Sequence, residues 1–142
     1  MFWNYWVTCE RCLPHALLCA KWIEQEQMVF SEAAYLLNQA GLYLRDRARY
    51  EEAERLYVRA LAICEEQLGE RHPNTATSLN NLGLLYYNQG KNEEAERLYV
   101  RALAIYEQSL GKEHPSTRIV RRNYALMLRN MGRDADVDLL ER

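Results

Sequence analysis

The chain has 142 residues, with 18 basic and 20 acidic side chains and a formal charge of −2. That length supports a domain with a core of its own, and the near-even charge gives no general drive toward nucleic acid or an anionic membrane. No apolar run approaches the roughly 20 residues that cross a bilayer, so neither nucleic acid nor membrane is an expected partner.

Residues 2–7 are aromatic-rich but lack the positive start and longer apolar stretch of a secretory signal. Cys9, Cys12, His15 and Cys19 have the spacing C-x2-C-x2-H-x3-C, and thiolate plus imidazole suits zinc. Pro14 interrupts the run, however, and Leu13, Leu17 and Leu18 read as ordinary helix packing. The expectation is no metal, no cofactor, and thiols (with Cys64) kept reduced in the cytoplasm. Pro14 suits a first helical turn, which predicts a helix over residues 14–27. Trp3, Trp6 and Trp22, with Phe2 and Tyr5, are expected to cover the first helix pair rather than to form an open interface or a membrane-leaning tip.

From residue 32 onward the pattern is helix joined by short turns. Helices are expected over 32–46, 50–68, 74–88, 92–110 and 116–131, and a stub of about eight residues follows Asp134. Residues 51–63 read EEAERLYVRALAI, and residues 93–105 read the same thirteen residues again. Aligning 51–90 with 93–132 gives 23 identities in 40 positions, a period of 42 residues. Self-similarity at this period means stacked helix pairs, each burying its apolar face on the next. In the first copy Ala53, Leu56, Tyr57, Ala60, Ile63, Cys64 and Leu68 make that face. In the following helix it is Ala76, Leu79, Leu82, Gly83 and Tyr86.

Gly69 and Gly90 supply helix stops, and Asn74 or a neighbour is the expected cap after His72-Pro73. Ala48 replaces glycine at the position of Gly90, so its turn is expected to be tighter or strained. Gly41 and Gly83 share a repeat position that admits a close neighbour, with Tyr57 and Tyr99 filling the adjoining space. Glu51 and Arg55, like Glu93 and Arg97, are spaced for weak pairing along one helix.

The small–large pattern of Leu79, Leu82, Gly83, Tyr86, Ala95, Tyr99 and Ala102 resembles the tetratricopeptide repeat. So does the set Leu37, Ala40, Gly41, Leu44, Ala53, Tyr57 and Ala60. The 42-residue length, the LGERHP and LGKEHP loops at 68–73 and 110–115, and the phrase TSLNNL at 77–82 are similar to the kinesin-light-chain subgroup. The resemblance covers residues 32 to 142. It implies an all-α, right-handed solenoid of antiparallel helix pairs, with units 32–73, 74–115 and a truncated 116–142, preceded by residues 1–31 as an aromatic segment and capping helix. Residues 13–32 also resemble the helix that precedes such repeats in bacterial multidomain proteins. Those proteins often carry an upstream NTPase, but no Gly-rich phosphate loop occurs here to carry that activity over.

In the family the first helix of each pair lines a concave surface that holds an extended peptide. The resemblance places Asn81 and Asn123 at one such position, with Gln39 in the first repeat. Asn80, Tyr87 and Asn88 lie alongside, as do Asn38 and Arg45, and the third repeat adds Arg122, Arg129 and Asn130. An amide offers both donor and acceptor and can read an extended backbone whatever its sequence. The competing use for these amides is bonding between helices. Arg118, Arg121, Arg122 and Arg129 would favour an acidic peptide, although a solvated end face accounts for the same cluster.

No Ser–His–Asp set or isolated carboxylate pair stands out, so catalysis is not expected. The leading expectation is a cytoplasmic, non-catalytic module that binds a protein or peptide. The alternative is a structural or oligomerising segment of a larger signalling protein, stacked through exposed solenoid ends.

Overall fold

A computed structural model describes residues 17–27 and 30–142 of the chain. Helix α1 runs over 17–25 within the described residues, so the expected start at Pro14 lies outside them. It is followed by α2 (Ser31–Asp46), α3 (Tyr50–Gln67), α4 (Pro73–Asn88), α5 (Asn92–Leu110), α6 (Pro115–Asn130) and α7 (Asp134–Glu141). Every helix expected from residue 32 onward is present to within a residue or two, and no strand occurs among the described residues. No described helix is long and apolar enough to cross a membrane.

The cap expected at Asn74 or a neighbour falls to the neighbour, His72, and to His114 in the next repeat. Each imidazole Nδ1 accepts the backbone N–H two residues on, at 3.0 and 3.1 Å. Proline in the first turn costs nothing there, since that N–H has no helical partner. The Thr75 and Thr117 hydroxyls then donate to the Gly69 and Gly111 carbonyls at 2.7 and 2.8 Å, tying each helix to its preceding turn. The expected strain at residue 48 is present. Ala48 has φ +58°, in the left-handed region that Gly90 occupies at +76° without a Cβ.

Packing is between sequence neighbours: α2 on α3, α3 on α4, α4 on α5, α5 on α6 and α6 on α7. The first helices also touch one another, α2 with α4 and α4 with α6. Fully buried Tyr57 and Tyr99 lie against the two helical glycines. A Cβ at Gly41 would sit 2.6 Å from Tyr57 Cε1, and one at Gly83 would sit 3.1 Å from Tyr99 Cε1. These glycines are what let the rings lie flat on the helix.

At the front of the array, Ala20 and Ile23 of α1 are buried with the first helix pair, and Leu17 packs beside them. Trp22 instead is 60% exposed, so it is not the residue that covers this end. Trp3, Trp6, Phe2 and Tyr5 lie outside the described residues.

The expected pairs Glu51–Arg55 and Glu93–Arg97 do not form. Ion pairs bridge repeats instead, with Arg101 on Glu65 at 2.7 Å and Arg133 on Glu96 at 2.9 Å. The cross-seam carboxylates Glu65 and Glu96 are partly shielded, at 31% and 26% exposed, whereas Glu51, Arg55, Glu93 and Arg97 all lie on the open face, where water competes for each charge.

Candidate functional site

Because the repeat is 42 residues, α2, α4 and α6 present equivalent positions side by side. The structure sorts the sequence-derived site residues on them into three groups. The first makes a polar ladder between helices. Asn38 Nδ2 donates to Ser78 Oγ at 3.0 Å, Asn123 Nδ2 donates to Asn80 Oδ1 at 3.2 Å, and Asn130 Nδ2 donates to the Tyr87 hydroxyl. These amides hold neighbouring first helices in register.

The second group has no hydrogen bond to any described residue. It comprises Gln39 and Asn81, half-buried at one repeat position, together with exposed Asn88 and exposed Arg122. In the third group a carboxylate already holds the charge. Arg45 bonds Asp46 through Nε and Nη2 at 3.3 and 3.0 Å, and Arg129 Nη2 lies 2.8 Å from Glu141. The Arg45 side chain is only 17% exposed, but its Asp46 partner is open to solvent, as are both partners of the Arg129 pair.

Sequence reading missed what lies beneath this face. The Tyr57 and Tyr99 hydroxyls are buried and bond to no described residue, as is the Asn38 Oδ1 left over from the ladder. Burial pushes the Tyr57 phenol up to about 12, with the Arg45 charge pulling the other way. It raises Tyr99 as well, against the same arginine. No sequence signal marks these hydroxyls, because a core tyrosine and a core phenylalanine fit the same small–large pattern.

Between the helices, two tyrosines do find carboxylates. The Tyr86 hydroxyl donates to Glu54 at 2.9 Å and that of Tyr124 to Glu96 at 2.7 Å. Burial first, and the neighbouring carboxylate second, push both phenols up to about 12.

At the α6–α7 end a cleft of about 500 Å³ opens between Arg118, Ile119, Arg121, Arg122, Arg129 and Glu141. Arg121 is anchored there by the Lys112 carbonyl at 3.2 Å and Glu107 at 3.4 Å. Among the described residues no group of three His, Cys, Asp or Glu side chains could hold a metal. The Cys9, Cys12 and His15 part of the N-terminal spacing lies outside them, and Cys19 is exposed.

No curated protein matches the chain. Among solved structures it is similar to BtubC (BKLC) from P. vanneervenii, with a TM-score of 0.83 and 22% identity over 97% of this chain. The match spans 56% of that protein's length. It is also similar to the nearly identical TPR-like repeats of a protein from Podosopora anserina described as a kinesin light chain, with a TM-score of 0.73 and 21% identity. That match covers 94% of this chain and 68% of the other, and a point variant of the same repeats agrees equally well. Identity at this level speaks for the fold alone. The tetratricopeptide repeat family model itself matches residues 31–108 and 80–136. The helix pairs, the glycine–tyrosine contacts and this match together make the chain a member of the tetratricopeptide repeat family, a protein–protein interaction scaffold rather than a catalytic fold.

Proposed function

We propose that the α2–α4–α6 face holds an extended peptide, with Gln39 and Asn81 as the principal backbone readers. The supporting observation is that these two amides occupy one repeat position, are half-buried, and make no hydrogen bond within the described chain. A half-buried amide with open donors and acceptors gains most from a ligand that supplies them. Asn123 shares the position but spends one donor on Asn80, leaving its carbonyl oxygen to contribute. Arg122, which has no partner among the described residues, adds positive charge that favours acidic residues in the peptide, and Arg45, already held by Asp46, flanks the groove. Asn38, Asn80, Tyr87 and Asn130 keep the helices in register, and Asn88 and Arg129 flank the bound segment. The 42-residue repeat and the LGERHP and LGKEHP loops support an array of the kinesin-light-chain type, working in the cytoplasm.

The test is a fluorescence-polarisation screen of an arrayed library of extended peptides, acidic and neutral, against the unaltered chain and a Gln39→Ala/Asn81→Ala variant. Two lost backbone hydrogen bonds predict binding weaker by roughly 10–30-fold with an unchanged melting temperature. Equal binding by both chains, or no binding by the unaltered one, overturns the assignment.

A further inference from the structure

We propose that the seam between α2 and α4 is where the peptide backbone is read, the Asn38 side-chain carbonyl accepting a peptide N–H while Asn81 donates to the C=O of the same peptide residue. This rests on the peptide reading above and adds to it a residue whose other bond only holds helices together. Two seams that the 42-residue period makes equivalent differ in their hydrogen bonds. Between α4 and α6 two bonds cross at an offset of 43 residues, from Asn123 to Asn80 at 3.2 Å and from Asn130 to Tyr87. The same offset between α2 and α4 sets Asn81 against Asn38 and Asn88 against Arg45. Neither of those bonds forms. Asn38 turns its Nδ2 to Ser78 Oγ at 3.0 Å, Arg45 goes to Asp46, and Asn81 and Asn88 bond to no described residue.

A single side chain accounts for the difference at Asn38. Ser78 is fully buried on α4, with Cys64 Sγ 3.7 Å away, and its hydroxyl draws the Asn38 amide toward it. One repeat on, that position is the buried Val120, which offers no acceptor, so Asn80 is free to receive Asn123. The result in the first seam is a buried acceptor with no donor. Asn38 Oδ1 is shut off from solvent and bonds to no described residue, while Asn80 Oδ1 is satisfied. A buried carbonyl left unpaired carries a desolvation cost that an incoming donor relieves. Asn81, which the repeat sets against it, is half-buried with its own donors open. Acceptor and donor thus stand on adjacent helices in one seam and are already spent on each other in the next. In an extended chain the N–H and C=O of one residue point to the same side, which matches one acceptor beside one donor. The N–H requirement also excludes proline at that residue of the ligand.

The measurement takes a peptide that binds in the polarisation screen and replaces its backbone amides one at a time by esters, which have no N–H. Each is titrated against the unaltered chain, Asn38→Ala and Asn80→Ala. One ester position should weaken binding by roughly three- to tenfold with the unaltered chain and with Asn80→Ala, and should have no effect with Asn38→Ala. An ester that costs Asn38→Ala as much as the unaltered chain overturns the role of Asn38, and so does a scan in which no ester matters. The peptide reading then still stands if Gln39→Ala/Asn81→Ala binds more weakly, whereas a screen in which no peptide binds overturns both. Because Asn38 also holds Ser78, a second measurement uses the unaltered chain alone. In an isotope-labelled complex, the nitrogen of that peptide amide should show a scalar coupling across the hydrogen bond to Asn38 Cγ. A complex in which it couples to another carbonyl carbon, or to none, overturns the proposal.

Discussion

Helices α3 and α5 contain the same thirteen residues, and the chain places them in different surroundings. Along the inner side the two copies behave alike: Ala53 and Ala95, Tyr57 and Tyr99, and Ala60 and Ala102 are all fully buried. Along the flanks they part. Leu56 is buried while Leu98 is half-exposed, and Leu61 is half-exposed while Leu103 is buried. Glu54 takes a hydroxyl from Tyr86 with Lys91 3.8 Å away. Its counterpart Glu96 takes one from Tyr124, which sits one turn earlier in its helix, and a second bond from Arg133. Arg101 pairs with Glu65, whereas the position opposite Arg59 one repeat back is the buried Ile23 of α1. Identical sequence therefore fixes how a helix meets its own partner, and the adjoining repeat decides everything else.

The largest way to break this equivalence is at the tyrosines. Truncating either Tyr57 or Tyr99 to alanine should cost about 3–5 kcal/mol. Tyr99 should be the costlier, because it also stacks on Tyr124 at 6.0 Å between centroids. Removing only the hydroxyl should change little in Tyr57→Phe and Tyr99→Phe, since neither bonds to a described residue. Urea unfolding of the four variants checks the order.

Next come the glycines. Gly41→Ala should lose about 1–3 kcal/mol, because 2.6 Å from a buried ring carbon demands that the ring or helix move. At Gly83 the contact is 3.1 Å, and the roughly 1 kcal/mol that alanine gains in a helix should offset most of a small shift. A clear loss at one position and near-neutrality at its equivalent are the expected result, read as a difference in urea midpoint.

A smaller effect separates the carboxylates by pH. The hydrogen bond from Arg133 holds Glu96 below the ordinary carboxylate range, with burial opposing and Tyr124 assisting. A lowered folded value means the stabilisation is full at neutral pH and is lost as pH falls below about 4. Glu96→Gln should thus be less stable than the parent at pH 7, and the gap should close as pH falls through the folded value, in melts recorded from pH 7 downward. The smallest contrast is at the surface. Arg101→Ala should cost a few tenths of a kcal/mol more than Arg59→Ala, since only the former gives up an ion pair.

The fold was legible because period, small–large alternation and glycine stops all point to one architecture. The thirteen-residue identity announced the repeat, and Gly41 and Gly83 marked where the tyrosines lie. The site was legible only in outline. Spacing places Asn38, Asn81 and Asn123 on one layer of helices, but it does not say which amide bonds across that layer. That depends on a one-residue offset: Asn123 reaches Asn80 rather than Asn81, 43 residues away. The cap was legible only to within a residue or two for a similar reason. Asparagine is the usual cap, yet proline after His72 leaves the imidazole as the acceptor nearest the free N–H. Cross-repeat pairs such as Arg133 with Glu96 depend on how far two long side chains reach over a seam, which no local pattern encodes.

The packing of α2 through α7, mostly between sequence neighbours, has a kinetic consequence. Contacts close in sequence need little chain to be brought together, so folding should be fast and free to begin at whichever pair is tightest. The α4–α5 pair, with its unstrained Gly90 turn, is suited to nucleate first. The α2–α3 pair must close through the left-handed Ala48, and it should join later and open sooner under native conditions. Amide hydrogen exchange should consequently be slowest in the middle of the array and should quicken toward both sides.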